Sequence, residues 1–170
     1  VDITLERYLN KGLYYMVTAS IFDSKYYGGD RKWRNTLYNR NFIINVLGGK
    51  EWMVGRDKQN MFSVNFKITL QGGDRYAPVD EVATLLDPDR EVQYDETKAF
   101  SKQFSPMFIT NFSVGYKINR KKVSHEFSIK SLNTTGCEEY YGHEYNFKTD
   151  KTKPIRGATS LPNVSYKLEF

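Results

Sequence analysis

Phe62-Ser63-Val64-Asn65-Phe66-Lys67-Ile68-Thr69-Leu70-Gln71 alternates apolar and polar residues throughout. Successive side chains of an extended chain point to opposite faces, so this stretch has one apolar and one polar face. The same period recurs in Leu13, Tyr15, Val17, Ala19 and Ile21, in Phe108, Phe112, Val114, Tyr116 and Ile118, and in Val123, Phe127 and Ile129. It closes in Val164, Tyr166, Leu168 and Phe170, set against Asn163, Ser165, Lys167 and Glu169. Apolar positions do not recur at three and four, which excludes a helix-rich fold. Seven strands follow, at about 1–9, 13–25, 41–55, 61–74, 106–118, 123–134 and 160–170. Most reach the ~9–11 residues a tilted strand needs to cross a bilayer. In segment 41–55, Lys50 shares a face with Phe42, Ile44, Val46, Trp52 and Val54, which places it near an interface where its stem can snorkel. Gly48-Gly49 in that segment marks an expected bulge or bend.

Short and long connections alternate strictly. Asn10-Lys11-Gly12, Arg56 to Asn60 and Asn119 to Lys122 are tight turns, whereas about 26–40, 75–105 and 135–159 are long and rich in Gly, Asp, Lys and Tyr. In an up-and-down arrangement every second connection falls on the same side, so the tight turns share one rim and the long loops the other. A short helical turn is expected around Val79 to Leu86.

The 170 residues are read as one domain spanning 1–170. Mean hydropathy is -0.62, yet aromatics reach 15%, with 13 Tyr and 11 Phe. A membrane-spanning β-barrel reconciles the two values, because only alternate residues face lipid and aromatics gather at the interfaces. No apolar run approaches the ~20 residues of a spanning helix; the longest, Leu13 to Phe22, stops at Asp23. The formal charge of +5 comes from scattered, interleaved residues, with one tight basic run at Arg120-Lys121-Lys122 in a predicted turn, which argues against nucleic-acid binding. Cys137 is the only cysteine, so no intrachain disulfide forms.

Several stretches carry a family resemblance: Tyr38-Asn39-Arg40-Asn41-Phe42, Gly48-Gly49-Lys50-Glu51-Trp52, Gln71-Gly72-Gly73-Asp74-Arg75-Tyr76, Ala99-Phe100-Ser101-Lys102-Gln103, Ser124-His125-Glu126-Phe127-Ser128 and Ser165-Tyr166-Lys167-Leu168-Glu169-Phe170. Together they resemble the C-terminal barrel segment of TonB-dependent outer-membrane receptors of Bacteroidetes-type bacteria. The resemblance implies an all-β fold, an antiparallel up-and-down transmembrane β-barrel segment with short periplasmic turns and long extracellular loops. Such receptors close barrels of about 22 strands around a plug. The plug, the TonB box and the remaining strands are not in this sequence, so the seven strands are expected to form part of a barrel. By the same resemblance Val164, Tyr166, Leu168 and Phe170 form the apolar face of the signal read by the barrel-insertion machinery. Partners so implied are outer-membrane lipid, that machinery, TonB through the plug, and a transported small ligand.

No catalytic, metal or cofactor site is read. His125 and His143 lie on different elements, and no HExxH or CxxC spacing occurs. Asp87-Pro88-Asp89-Arg90-Glu91 is carboxylate-rich but lacks the glycine and spacing of a calcium loop, and reads as a solvated surface. Asp74-Arg75 is expected to form a local ion pair at a loop exit. Tyr26-Tyr27, Trp33, Tyr38, Tyr140-Tyr141 and Tyr145 are assigned to an aromatic girdle at the long-loop rim, and Trp52, Phe62, Tyr116 and Phe170 to one at the other. Candidate extracellular ligand contacts are Trp33, Asp74, Arg75, Tyr140 and Tyr141. The expected function is uptake of a nutrient such as a siderophore, metal complex or glycan across a bacterial outer membrane, not enzymatic. The alternative is a soluble or lipid-anchored ligand-binding β-barrel, or a carbohydrate-binding β-sandwich, whose apolar face would line a dry interior.

Overall fold

A computed structural model describes residues 1–170. Its strands are β1 (Asp2–Asn10), β2 (Leu13–Ile21), β3 (Lys25–Tyr27), β4 (Trp33–Asn35), β5 (Phe42–Val54), β6 (Asn60–Gln71), β7 (Arg75–Tyr76), β8 (Lys102–Gln103), β9 (Met107–Asn119), β10 (Ser124–Leu132), β11 (Glu139–Asn146), β12 (Lys151–Gly157) and β13 (Leu161–Glu169). One α-helix, α1 (Glu81–Leu86), falls where the helical turn was expected, and Asp80 caps it by accepting the Ala83 amide. Seven long strands form one antiparallel sheet in the order β1-β2-β5-β6-β9-β10-β13, each beside its predecessor among the seven. Three small hairpins, β3-β4, β7-β8 and β11-β12, lie within the long connections.

Pairing aligns the apolar positions of all seven strands. Leu5, Val17, Val46, Ile68, Val64, Val114, Ile129 and Val164 lie on one face, because partners across an antiparallel ladder point the same way. Thr18, Asn45, Thr69, Asn65, Ser113, Ser128 and Ser165 lie on the other. Hydrogen bonds knit the polar face across strands: Asn45 Nδ2 to Thr18 Oγ1 at 3.3 Å, Thr69 Oγ1 to Asn45 Oδ1 at 2.8 Å, and Asn65 Nδ2 to Ser113 Oγ at 3.3 Å. Further along, Lys117 donates to Glu169 at 2.7 Å and Ser128 pairs with Ser165 at 2.6 Å. The apolar face has no such cover. Ile129 is 60% and Val164 77% exposed, and the only buried apolar side chains of the chain are Ala77, Ala99 and Met107. Nothing packs on this face to form a second layer or a dry core.

The rims are oblique to the strands. Leu13, Lys50, Val64, Val114, Ile129 and Val164 stand side by side, and the first tight turn closes on that line at Asn10 and Leu13. The next tight turn closes four residues beyond it, at Val54 and Asn60, and the third five beyond, at Asn119 and Ser124. At the opposite rim the pairs Ile21–Phe42, Gln71–Met107 and Leu132–Leu161 step five residues in the same sense. Five residues is ~16 Å of strand over ~19 Å of sheet, so the strands incline by about 40° from the perpendicular to both rims. A nine-residue strand such as β2 so inclined rises ~23 Å between rims.

Two expectations need correction. Gly48-Gly49 is not a bulge, since β5 keeps unbroken register with β2 and β6. The glycines admit neighbours: a Cβ at Gly48 would lie 3.1 Å from the Phe66 ring, and one at Gly49 would lie 2.2 Å from Asn65 Oδ1. The predicted strands 13–25 and 61–74 end earlier, at Ile21 and Gln71. Asp23 leaves the ladder to accept from Asn39 Nδ2 at 2.7 Å, and Gly72-Gly73 turn out where the Arg40 and Phe104 carbonyls approach too closely for any Cβ.

Candidate functional site

The three long connections, 22–41, 72–106 and 133–160, interlock into one layer over one rim of the sheet. The first two are joined by Arg34 Nη2 donating to the Thr97 carbonyl at 3.1 Å and Asn35 Nδ2 to that of Phe100 at 3.2 Å. The expected Asp74–Arg75 ion pair does not form. Asp74 pairs with Arg40 at 2.6 Å, while Arg75 reaches back to the Asn39 carbonyl and Asn41 Oδ1, both at 2.7 Å. Each residue therefore ties the second connection to the first. Sequence separation of 34 or more hid these pairings, whereas adjacency made the local pair look natural.

Aromatic stacking fastens the third connection. Phe104 stacks between Tyr76 at 4.2 Å and Tyr140 at 4.3 Å, and the Arg156 guanidinium covers Tyr140 at 4.7 Å. His143 packs on Tyr76 at 5.0 Å, and its backbone amide donates to the Tyr94 hydroxyl at 3.2 Å. Burial holds the His143 pKa below its ordinary value, which favours the neutral imidazole, while the Glu81 carboxylate pulls the other way. Asp30, bonded by the Arg34 guanidinium, is pulled down to about 2, and Asp95, bonded by Thr97 and Lys98, likewise to about 2.

Two clefts open in this layer. The first, of 280 Å³, lies where the polar face of the sheet meets the loops; Arg40, Gln71, Asp74, Phe104, Glu139 and Tyr140 line it. It joins an ion pair, a carboxylate and aromatic edges, which suits a polar, hydroxyl-bearing ligand. The second, of 650 Å³, contains Trp33 with Lys25, Lys32, Arg34 and Lys98. Of the sequence-derived contacts, Asp74 and Tyr140 are thus brought together, Trp33 lies in the other cleft, and Arg75 is committed to the Asn39 and Asn41 brace. Tyr141 is 61% exposed and lies over Gly157. Tyr140 offers an edge, since both ring faces are covered. Phe104, Arg40, Gln71 and Glu139 were not among the candidate contacts, because only the folded loops bring them together.

The long-loop aromatics do not form a girdle on the sheet. Tyr27 and Trp33 pack on each other at 5.3 Å within their hairpin, and Tyr140 belongs to the stack. The other group does lie toward the tight-turn rim, where Trp52, Phe62 and Tyr116 are adjacent in register and continue into Phe127 and Tyr166. At the same end His125 Nδ1 lies 2.8 Å from the Tyr166 hydroxyl. Asp87, in the carboxylate-rich loop, accepts the Asp89 and Glu91 amides at 2.9 and 3.1 Å, which orders the loop itself. Val164, Tyr166, Leu168 and Phe170 occupy the open apolar face of β13 and just beyond it.

Compared with protein-family models, curated proteins and solved structures, the chain matches none. The fold defines an all-β protein built on a seven-stranded antiparallel sheet, apolar on one face and polar on the other.

Proposed function

We propose that this chain is part of a TonB-dependent transporter of the bacterial outer membrane, its sheet forming an arc of the barrel wall with the apolar face toward lipid. The supporting observation is the uncovered apolar face, continuous over seven strands, opposite a polar face closed by its own hydrogen bonds. Water penalises such an arrangement and a bilayer rewards it. The inclination of about 40° and the rise of ~23 Å fit the tilt and ~25 Å apolar band of outer-membrane barrels. In this reading β1 and β13 pair with further strands, because unsatisfied backbone groups in lipid cost several kcal/mol each. The tight turns face the periplasm, and the long-loop layer faces outward.

The 280 Å³ cleft, opening on the polar face, serves as part of the path for a nutrient such as a siderophore, metal complex or glycan. TonB, acting through a plug, supplies the drive, and the outward Val164, Tyr166, Leu168 and Phe170 serve the insertion machinery. In a soluble ligand-binding barrel or sandwich the apolar face, open in these residues, would be covered by a further wall of strands. Fractionation tests the proposal: recovery with outer membranes and release only by detergent is expected, whereas a stable monomer in detergent-free buffer overturns it.

A further inference from the structure

We infer that the tight-turn rim carries a binding site for an anionic phospholipid headgroup, built on Lys11, Lys50 and Trp52; the inference rests on the membrane reading above. The first observation is where the charge lies. The three tight turns hold Lys11, Arg56, Lys58, Arg120, Lys121 and Lys122 against the single carboxylate of Asp57, a surplus equal to the +5 of the whole chain. The long connections are balanced, with thirteen cations against fourteen carboxylates. The second observation is independent of the turns. Across the apolar face of all seven strands the only charged side chains are Arg7 and Lys50, both cations, and both at the tight-turn end. No carboxylate shares that face.

The third is a cleft of 500 Å³ at the first tight turn, where Leu9, Lys11, Lys50, Trp52 and Met53 come together. Glu51 and Met53 border it from the polar face of β5. Lys50 bends to the rim, its Nζ donating to the Lys11 carbonyl at 3.0 Å, so two ammonium-bearing residues meet at the cleft mouth. Their charge complements a phosphodiester. Trp52 and Leu9 offer apolar surface to the glycerol backbone and upper acyl chain, the usual place of an interfacial indole. Neutral or zwitterionic lipid would leave the cationic surplus without a partner.

The test uses the intact protein extracted from membranes in detergent, its thermal midpoint followed during addition of phosphatidylglycerol, phosphatidylcholine or inorganic phosphate. A saturable rise with phosphatidylglycerol alone is expected. The K11Q/K50Q variant should need about fivefold more lipid per lysine removed. K148Q/K151Q, in the long-loop layer, is expected to titrate like the parent and controls for net charge. An equal response to phosphatidylcholine, an equal response to free phosphate, or a K11Q/K50Q titration unchanged from the parent overturns the site. A protein that requires no detergent rejects the membrane reading itself, and one that requires it but ignores phosphatidylglycerol rejects this site only.

Discussion

The Tyr14 hydroxyl on β2 donates to Asn65 Oδ1 on β6 at 2.7 Å, crossing the whole width of β5 above Gly49. The three residues stand in one row, so this bond exists because the middle one has no side chain. Gly49→Ala should therefore destabilise the protein by about 1–3 kcal/mol, the range for forcing atoms into a closed space. Gly29, with nothing near its Cβ direction, is the control, and Gly29→Ala should stay within about 0.5 kcal/mol of the parent. Thermal unfolding of both variants checks the pair, and an equal effect would remove the steric account.

Charge placed on the two faces should behave oppositely. Val114 lies midway between the rims on the apolar face, and Ser113 lies beside it on the polar face. Val114→Arg should block assembly into the membrane, since arginine at the bilayer midplane costs about 2–4 kcal/mol. Ser113→Arg should assemble. Membrane-fraction blots of the two variants report the difference.

A pH effect is expected in the loop layer. The His143 pKa lies below its ordinary 6.5 because the ring is buried among Tyr76, Tyr94 and Phe104. The unfolded layer therefore binds a proton more readily than the packed one. Stability from this packing is complete above about pH 6.5 and is lost as the pH falls through the lower folded-state value. Asp30 and Asp95, both held at about 2, stay ionised throughout. Limited proteolysis of 133–160 should accelerate between pH 7.5 and 5, and His143→Phe should flatten that dependence.

The brace from Arg75 gives a fourth expectation. Asn39 is fully buried, and Arg75 is the donor to its carbonyl. Arg75→Ala should cost about 1–3 kcal/mol by leaving that group without its partner. It should also open 22–41 to protease while leaving the sheet intact. Unchanged cleavage would show that the loop holds without the brace.

Strands were legible because the period of two is local: the ten residues from Phe62 to Gln71 display both faces without reference to the rest of the chain. The alternation of tight turns and long connections was equally open to reading, since Asn10-Lys11-Gly12 and its counterparts carry their own turn chemistry. What stayed hidden depends on distance in sequence. Arg40 meeting Asp74, Phe104 slotting between Tyr76 and Tyr140, and Phe66 lying over Gly48 are set by register and loop packing, which no window of ten residues contains. The oblique rims were hidden too, because inclination follows from which residues pair, as Leu13 with Lys50 and Asn119 with Ser124.

The orientation of the sheet in the bilayer is tested most directly by single fluorophores at Val64 and Asn65, neighbours on opposite faces of β6, in the intact protein reconstituted with brominated lipid. Strong quenching at Val64 with little at Asn65 is expected. Quenching at Asn65 instead, or at neither position, would contradict the assignment of the apolar face to lipid.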